Sequence, residues 1–268
     1  MKISRICQEL RQESAIAAIM KNDELSSIES EFTSPLDQID PVGAASEIPR
    51  PDPDRMLGLL ESSQASERML AARAFCELED QRSIPILIKL LQDDCPLVRV
   101  STTYALGRNT DSTVVEPLIE LLRNDWNGYV RKGIVWALGN SGDRRSLRPL
   151  IHALKTDISA VRLWAASGLA QIAPLEYEDM IAAMPPLIQG LRRDATAAVR
   201  SNCAWAIGQL CRELPSNVVY ATAIDALIEA LVEDDDFGVK DDARSAILRV
   251  GDPRGLQMIE ELEFEGLI

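Results

Sequence analysis

Five times along this 268-residue chain an aspartate is followed, five or six residues later, by an arginine or lysine: Asp94 and Arg99, Asp125 and Arg131, Asp157 and Arg162, Asp194 and Arg200, Asp234 and Lys240. A carboxylate and a cation so spaced are raw material for acid–base chemistry, but a catalytic pair is needed once rather than in every unit. Repetition points to charge-assisted hydrogen bonds that tie neighbouring units together. The remaining candidates are sparse. His152 is the single histidine and stands mid-helix, with no serine or cysteine nucleophile in a recognisable motif, so no catalytic triad is read and catalytic residues are left unassigned. Cys7, Cys76, Cys95, Cys203 and Cys211 contain no C-x-x-C pair, and the acids of "EDDDF" at 233–237 do not follow a calcium-loop pattern, so no metal site is expected. Cys203 reads as a core residue and Cys95 as lying at a helix start, where two adjacent aspartates oppose activation of its thiol.

The elements that must position these residues are repeats. "LIKLLQDD", "LIELLRND", "LIHALKTD", "LIQGLRRD" and "LIEALVED" begin at Leu87, Leu118, Leu150, Leu187 and Leu227. A valine with a base follows each, at Val98, Val130, Val161, Val199 and Val239, and a degenerate copy starts with "MLGLLESS". Both halves of a unit carry apolar residues at three- and four-residue spacing, so each unit is a pair of amphipathic helices. A hairpin of two helices cannot bury a face alone, and stacking supplies the core. The fold class is therefore all-α, an α-solenoid (superhelix) of about six helical hairpins over residues 56–268. Residues 1–29 read as an N-terminal helical segment and 30–55 as a Pro-rich connector. Pro85, Pro117, Pro149, Pro185 and Pro186 are expected near the first turns of first helices, where a missing N–H is tolerated. Gly107, Gly139 and Gly208 are expected near the ends of second helices. "APLEYEDMIAAM" and "ELPSNVVYATA" read as the loops that lengthen two of the periods.

With about 100° per residue, positions 0, 4, 7, 8 and 11 from each valine face the core, and positions 3, 6 and 10 form a second stripe. Tyr104, Trp136, Trp164 and Trp205 fall on that stripe, with Arg108, Asn140, Gln171 and Gln209 beside them. Only 4% of the chain is aromatic, yet three of the four tryptophans lie here. Two readings are open: the rings pack against the next repeat, or they line a binding surface in which aromatic faces alternate with donors. Tyr104, Arg108, Trp136, Asn140, Trp164, Trp205 and Gln209 are the candidate ligand- or partner-binding residues.

A formal charge of −14 argues against nucleic acid, whose phosphates require concentrated Lys and Arg. Residues 82–215 are the exception, with 16 Lys and Arg against 13 Asp and Glu. The start of the chain lacks an apolar run of signal-peptide length and no stretch is long enough to span a membrane, so a cytoplasmic protein with reduced thiols is expected.

The unit "EPLIELLRNDWNGYVRKGIVWALGNSGD" resembles the HEAT-like repeat of cyanobacterial phycobilisome lyases, specifically the E/F type of bilin lyase, and the resemblance covers about residues 56–255. It implies a protein that binds a phycobiliprotein subunit, a linear tetrapyrrole (phycocyanobilin-like) as substrate, or both, and assists thioether attachment to a cysteine of that subunit. It also implies a second HEAT-repeat chain as partner and no tightly bound cofactor. The acceptor cysteine belongs to the substrate protein, so no nucleophile is required here; stripe aromatics would face the pyrrole rings, and Arg108 or Arg131 the propionates. The alternative is a non-catalytic adaptor or chaperone, for example a partner of an iron–sulfur scaffold protein, since the same repeat builds both.

Overall fold

A computed structural model of the chain describes residues 51–173 and 176–267. The segment expected over 1–29 and the connector up to residue 50 lie outside these. Thirteen α-helices and no strand are found among the described residues. They are α1 (Pro53–Leu60), α2 (Ala65–Ala74), α3 (Ile84–Leu90), α4 (Pro96–Arg108), α5 (Val115–Asn124), α6 (Gly128–Asn140), α7 (Leu147–Thr156), α8 (Ser159–Ile172), α9 (Tyr177–Arg193), α10 (Ala197–Cys211), α11 (Val218–Glu233), α12 (Phe237–Val250) and α13 (Pro253–Phe264). Consecutive helices pair into six hairpins, and α13 closes the row against α11 and α12. The α-solenoid is thus as the repeats require.

The two layers differ in how tightly they pack. Second helices α4, α6, α8, α10 and α12 contact one another along the row, whereas first helices α3, α5 and α7 touch little. Small residues set this asymmetry. A methyl on Gly139 would meet Gly168 Cα at 2.8 Å, and one on Gly107 would meet the Trp136 ring at 2.5 Å. Gly107, Gly139 and Gly208 accordingly stand inside the last turns of α4, α6 and α10 rather than past their ends. Close approach of neighbouring backbones is their role. The first helices, lacking such contacts, leave grooves between them.

The recurring Asp and Arg form a ladder between units, as their repetition suggested. Each arginine forks onto the aspartate of the next unit: Arg99 onto Asp125 at 2.7 and 3.1 Å, Arg131 onto Asp157 at 2.8 and 2.7 Å, Arg162 onto Asp194 at 2.7 and 2.7 Å, and Arg200 onto Asp234 at 2.7 and 2.7 Å. The same arginines reach back to carbonyls of their own unit, such as Arg131 Nη1 to Asp125 O at 2.9 Å. Each aspartate also accepts the backbone N–H of the residue just before the following helix, so one side chain joins two units and fixes the turn into that helix. Two rungs depart from expectation. Asp94 is exposed, and Arg68 forks instead onto Asp93, whose Oδ1 also accepts the Cys95 N–H at 2.9 Å. Lys240, at the end of the row, donates to Val232 O at 2.9 Å.

Burial, the largest single influence, would raise the carboxyls of Asp93, Asp157, Asp194 and Asp234, but the paired guanidinium and the backbone N–H that each accepts together outweigh it and hold them below the usual carboxylate range. Because these pKa values are depressed on folding, their stabilisation is present above the unfolded value of about 4 and is lost as pH falls through the folded one. Urea midpoints are expected to hold level from pH 7 to 5 and to drop from pH 4 to 3. Arg131→Met should show a shallower drop; an identical slope would mean that the Asp157 rung carries no linkage.

The expected loops are corrected. Tyr177 starts α9 and Val218 starts α11, so most of both segments is helix, and Pro185 and Pro186 fall in the interior of α9. An interior proline costs about 3 kcal/mol by losing an N–H and crowding the preceding turn. Buried Met180, Ala183 and Met184 in the extension offset that cost, and Arg144 clamps Asp179 at 2.6 Å. Cys76, Cys95, Cys203 and Cys211 are free thiols. Burial, with Asp194 close by, pushes the Cys203 thiol up to about 12, and burial beside Asp252 does the same for Cys211, so both are packing residues in the folded chain.

Candidate functional site

The stripe on the second helices is half-buried and falls into separate groups. Tyr104 and Trp136, on successive helices α4 and α6, meet with ring centroids 5.2 Å apart and planes inclined by 48°. Arg108 lies over the Trp136 ring at 5.7 Å, and Lys132 over Trp164 at 5.8 Å. Both are cation–π arrangements on partly solvated rings. The amides tie the helices together: Asn140 donates to Gly107 O at 3.5 Å, and Asn202 donates to Leu163 O and Ser167 Oγ, both at 2.8 Å. With its amide oxygen turned toward them, Gln209 accepts from Arg249 Nη1 at 2.8 Å and from Trp205 Nε1 at 3.1 Å. Tyr104, Arg108, Trp136 and Asn140 therefore form one cluster; Trp164 stands under Lys132, and Trp205 and Gln209 form a second group with Arg249. Trp136, Trp164 and Trp205 are half-buried against the core, and Tyr104 is half-buried against Trp136.

The other candidates find structural places. His152 is exposed on α7, and its ring makes no hydrogen bond among the described residues. No three His, Cys, Asp or Glu side chains among the described residues converge as a metal site. In "EDDDF", Asp234 is a rung of the ladder and Asp236 caps α12 by accepting the Gly238 and Val239 N–H groups.

Two features were not read from the sequence. Trp126, the tryptophan off the stripe, is 77% exposed, and Tyr129 is 74% exposed, both at the turn into α6. Beside them a groove of about 790 Å³ runs between α5 and α7, lined by Leu122, Arg123, Arg148, Pro149, His152 and Ile158 among others. A signal existed for each. Trp126 directly follows the ladder aspartate, and Arg148 and His152 are four residues apart, on one face of a helix whose opposite face holds Leu150 and Leu154.

The sequence model for HEAT repeats matches residues 53–132, 115–183 and 184–262. The chain belongs to the HEAT-repeat family. Solved structures with the same fold include a designed armadillo repeat protein in complex with the peptide (KR)4, 21% identical, with a TM-score of 0.58 and covering 75% of this chain and 100% of that one. The complex of CpcE and CpcF of phycocyanin lyase from Nostoc sp. PCC7120 is similar at 21% identity, with a TM-score of 0.55 and covering 80% of this chain and 83% of that one. An engineered protein is 23% identical, with a TM-score of 0.56 and covering 75% and 98%. No curated protein matches the sequence. No helix among the described residues is long and apolar enough to cross a membrane.

Proposed function

We propose that this HEAT-repeat chain is a bilin lyase subunit of the E/F type, which holds a phycobiliprotein subunit and a linear tetrapyrrole while a cysteine of that subunit takes up the chromophore. The observation that carries the reading is the Tyr104–Trp136–Arg108 cluster, two half-open rings beside a cation. Flat conjugated pyrroles stack on such rings, and a propionate pairs with the guanidinium. The likeness in fold to the phycocyanin lyase complex supports it, and that complex contains two different chains, in keeping with a second HEAT-repeat partner.

The test is co-production with a phycocyanobilin-like bilin and a phycobiliprotein subunit. Long-wavelength absorbance should travel with the chain or appear on the acceptor, and Trp136→Ala and Trp205→Ala should each weaken binding about 5- to 150-fold, roughly 1–3 kcal/mol. Neither absorbance nor capture of the acceptor would end the proposal. A second reading, an adaptor that holds its partner without transferring chromophore, draws support from Asn140, Asn202 and Gln209, whose amides are spent on fixing helix to helix. Capture of the acceptor without any bilin spectrum is its signature.

A further inference from the structure

The groove between α5 and α7 lies on the first helices, away from the stripe. Its lining mixes apolar Leu122, Pro149 and Ile158 with Arg123 and Arg148. The acids at its edge are already committed, Asp125 to Arg99 and Asp157 to Arg131. Arg123 and Arg148 form no ion pair among the described residues, so the groove keeps two positive charges uncompensated on a chain of net charge −14. Such a patch orients an acidic partner, because the acidic remainder of the surface repels it.

The rim supplies anchors. Ile158 packs on Gly128, where a methyl would meet its Cδ1 at 2.5 Å, and this contact joins the groove to the turn bearing Trp126 and Tyr129. Trp, Tyr and Arg are the side chains that dominate binding energy at protein interfaces. Trp126 and Tyr129 do not line the groove itself, so an occupant that also reaches them must extend past Ile158, as a polypeptide can and a small acid cannot. We propose that this face docks an acidic segment of a partner protein that carries an aromatic or large aliphatic side chain, with its carboxylates on Arg123 and Arg148 and its apolar side chain against Leu122, Ile158 and Trp126.

The experiment uses fluorescein-labelled dodecapeptides in four classes: acidic with phenylalanine, acidic without, basic with phenylalanine, and neutral with phenylalanine. Binding to the whole chain is read by anisotropy. The acidic, phenylalanine-bearing class should bind at least tenfold more tightly than the others. Arg123→Glu with Arg148→Glu, or Trp126→Ser, should weaken it at least tenfold while Trp136→Ala leaves it unchanged; all of the altered groove and rim side chains are exposed, and circular dichroism checks the fold. No class binding the unaltered chain better than the charge-reversed one overturns the proposal, as does loss with Trp136→Ala alone, which moves the site to the stripe. Two other occupants are tested in parallel. Tight binding of 1-pyrenebutyrate that the double charge reversal abolishes, without peptide binding, would make the groove a small-molecule site. Self-association in sedimentation that the same variant abolishes would make the occupant a second copy; either result overturns the acidic segment.

Discussion

Arg99→Ala is expected to destabilise the solenoid by about 3–5 kcal/mol, the cost of leaving a buried charge unpaired. The Arg99 and Asp125 side chains are only 9% and 2% exposed, the driest rung of the ladder. Asp125 accepts two guanidinium N–H groups and the Asn127 N–H, and Arg99 also serves the carbonyls of Asp93 and Asp94 at 2.7 and 3.3 Å. Truncation therefore strands a carboxylate and two carbonyls where little water can reach them. Arg131→Ala should cost less, about 1–3 kcal/mol, because its pair is 18% and 12% exposed and solvent can take over part of the bonding. Removing both partners of the dry rung, as Arg99→Met with Asp125→Leu, should recover most of the loss, since no charge then remains to be desolvated. Urea unfolding of the three variants checks the order, and an Arg99→Ala midpoint no lower than that of Arg131→Ala would overturn it.

Much of this architecture was legible because repetition leaves a periodic trace. The leucines at Leu87, Leu118, Leu150, Leu187 and Leu227 and the valines after them mark hairpins that all bury the same face, so one pattern read five times places six pairs of helices. What repetition could not mark is where a unit departs from its neighbours. Pro185 and Pro186 carry a local signal for a helix start, but burial of Met180 and Met184 in the extra turns outweighs it, and burial is a tertiary fact. The Asp93 rung was missed because two adjacent acids stand there and the spacing from Leu87 singles out Asp94, whereas it is Asp93 that Arg68 clamps. For the candidate surface, helix geometry was enough to put Tyr104, Trp136 and Arg108 on one stripe, but not to show that Arg108 would sit over the Trp136 ring. Trp126 was passed over because the turn before α6 has no periodicity from which exposure can be read, and Tyr129 because it stands in the first turn of α6, off the stripe.

The stripe's character is best decided by comparing two neighbours on α6, Leu138→Ala and Trp136→Ala. Leu138 is fully buried among the core side chains, so its truncation should cost about 2–5 kcal/mol, combining lost transfer energy with a cavity that the packed second helices cannot close. Trp136 loses more atoms but from a different setting. Its ring is only half-buried: it packs on Gly107 and Tyr104, and the Arg108 guanidinium lies 5.7 Å from its centroid. Water can fill the space it vacates, so the cavity penalty is largely absent. What remains is the half-buried area, an aromatic pair worth about 0.5–1.5 kcal/mol and a cation–π contact worth about 0.5–1 kcal/mol. Stability should fall by about 1–3 kcal/mol, while binding of bilin or phycobiliprotein by the folded variant falls as well. If the ring is only a spacer between α4 and α6, the pattern reverses: Trp136→Ala unfolds at least as readily as Leu138→Ala, and the folded fraction binds like the unaltered chain. Urea midpoints and binding measured on the same two variants separate these outcomes, because only a ring that also faces a partner moves both quantities.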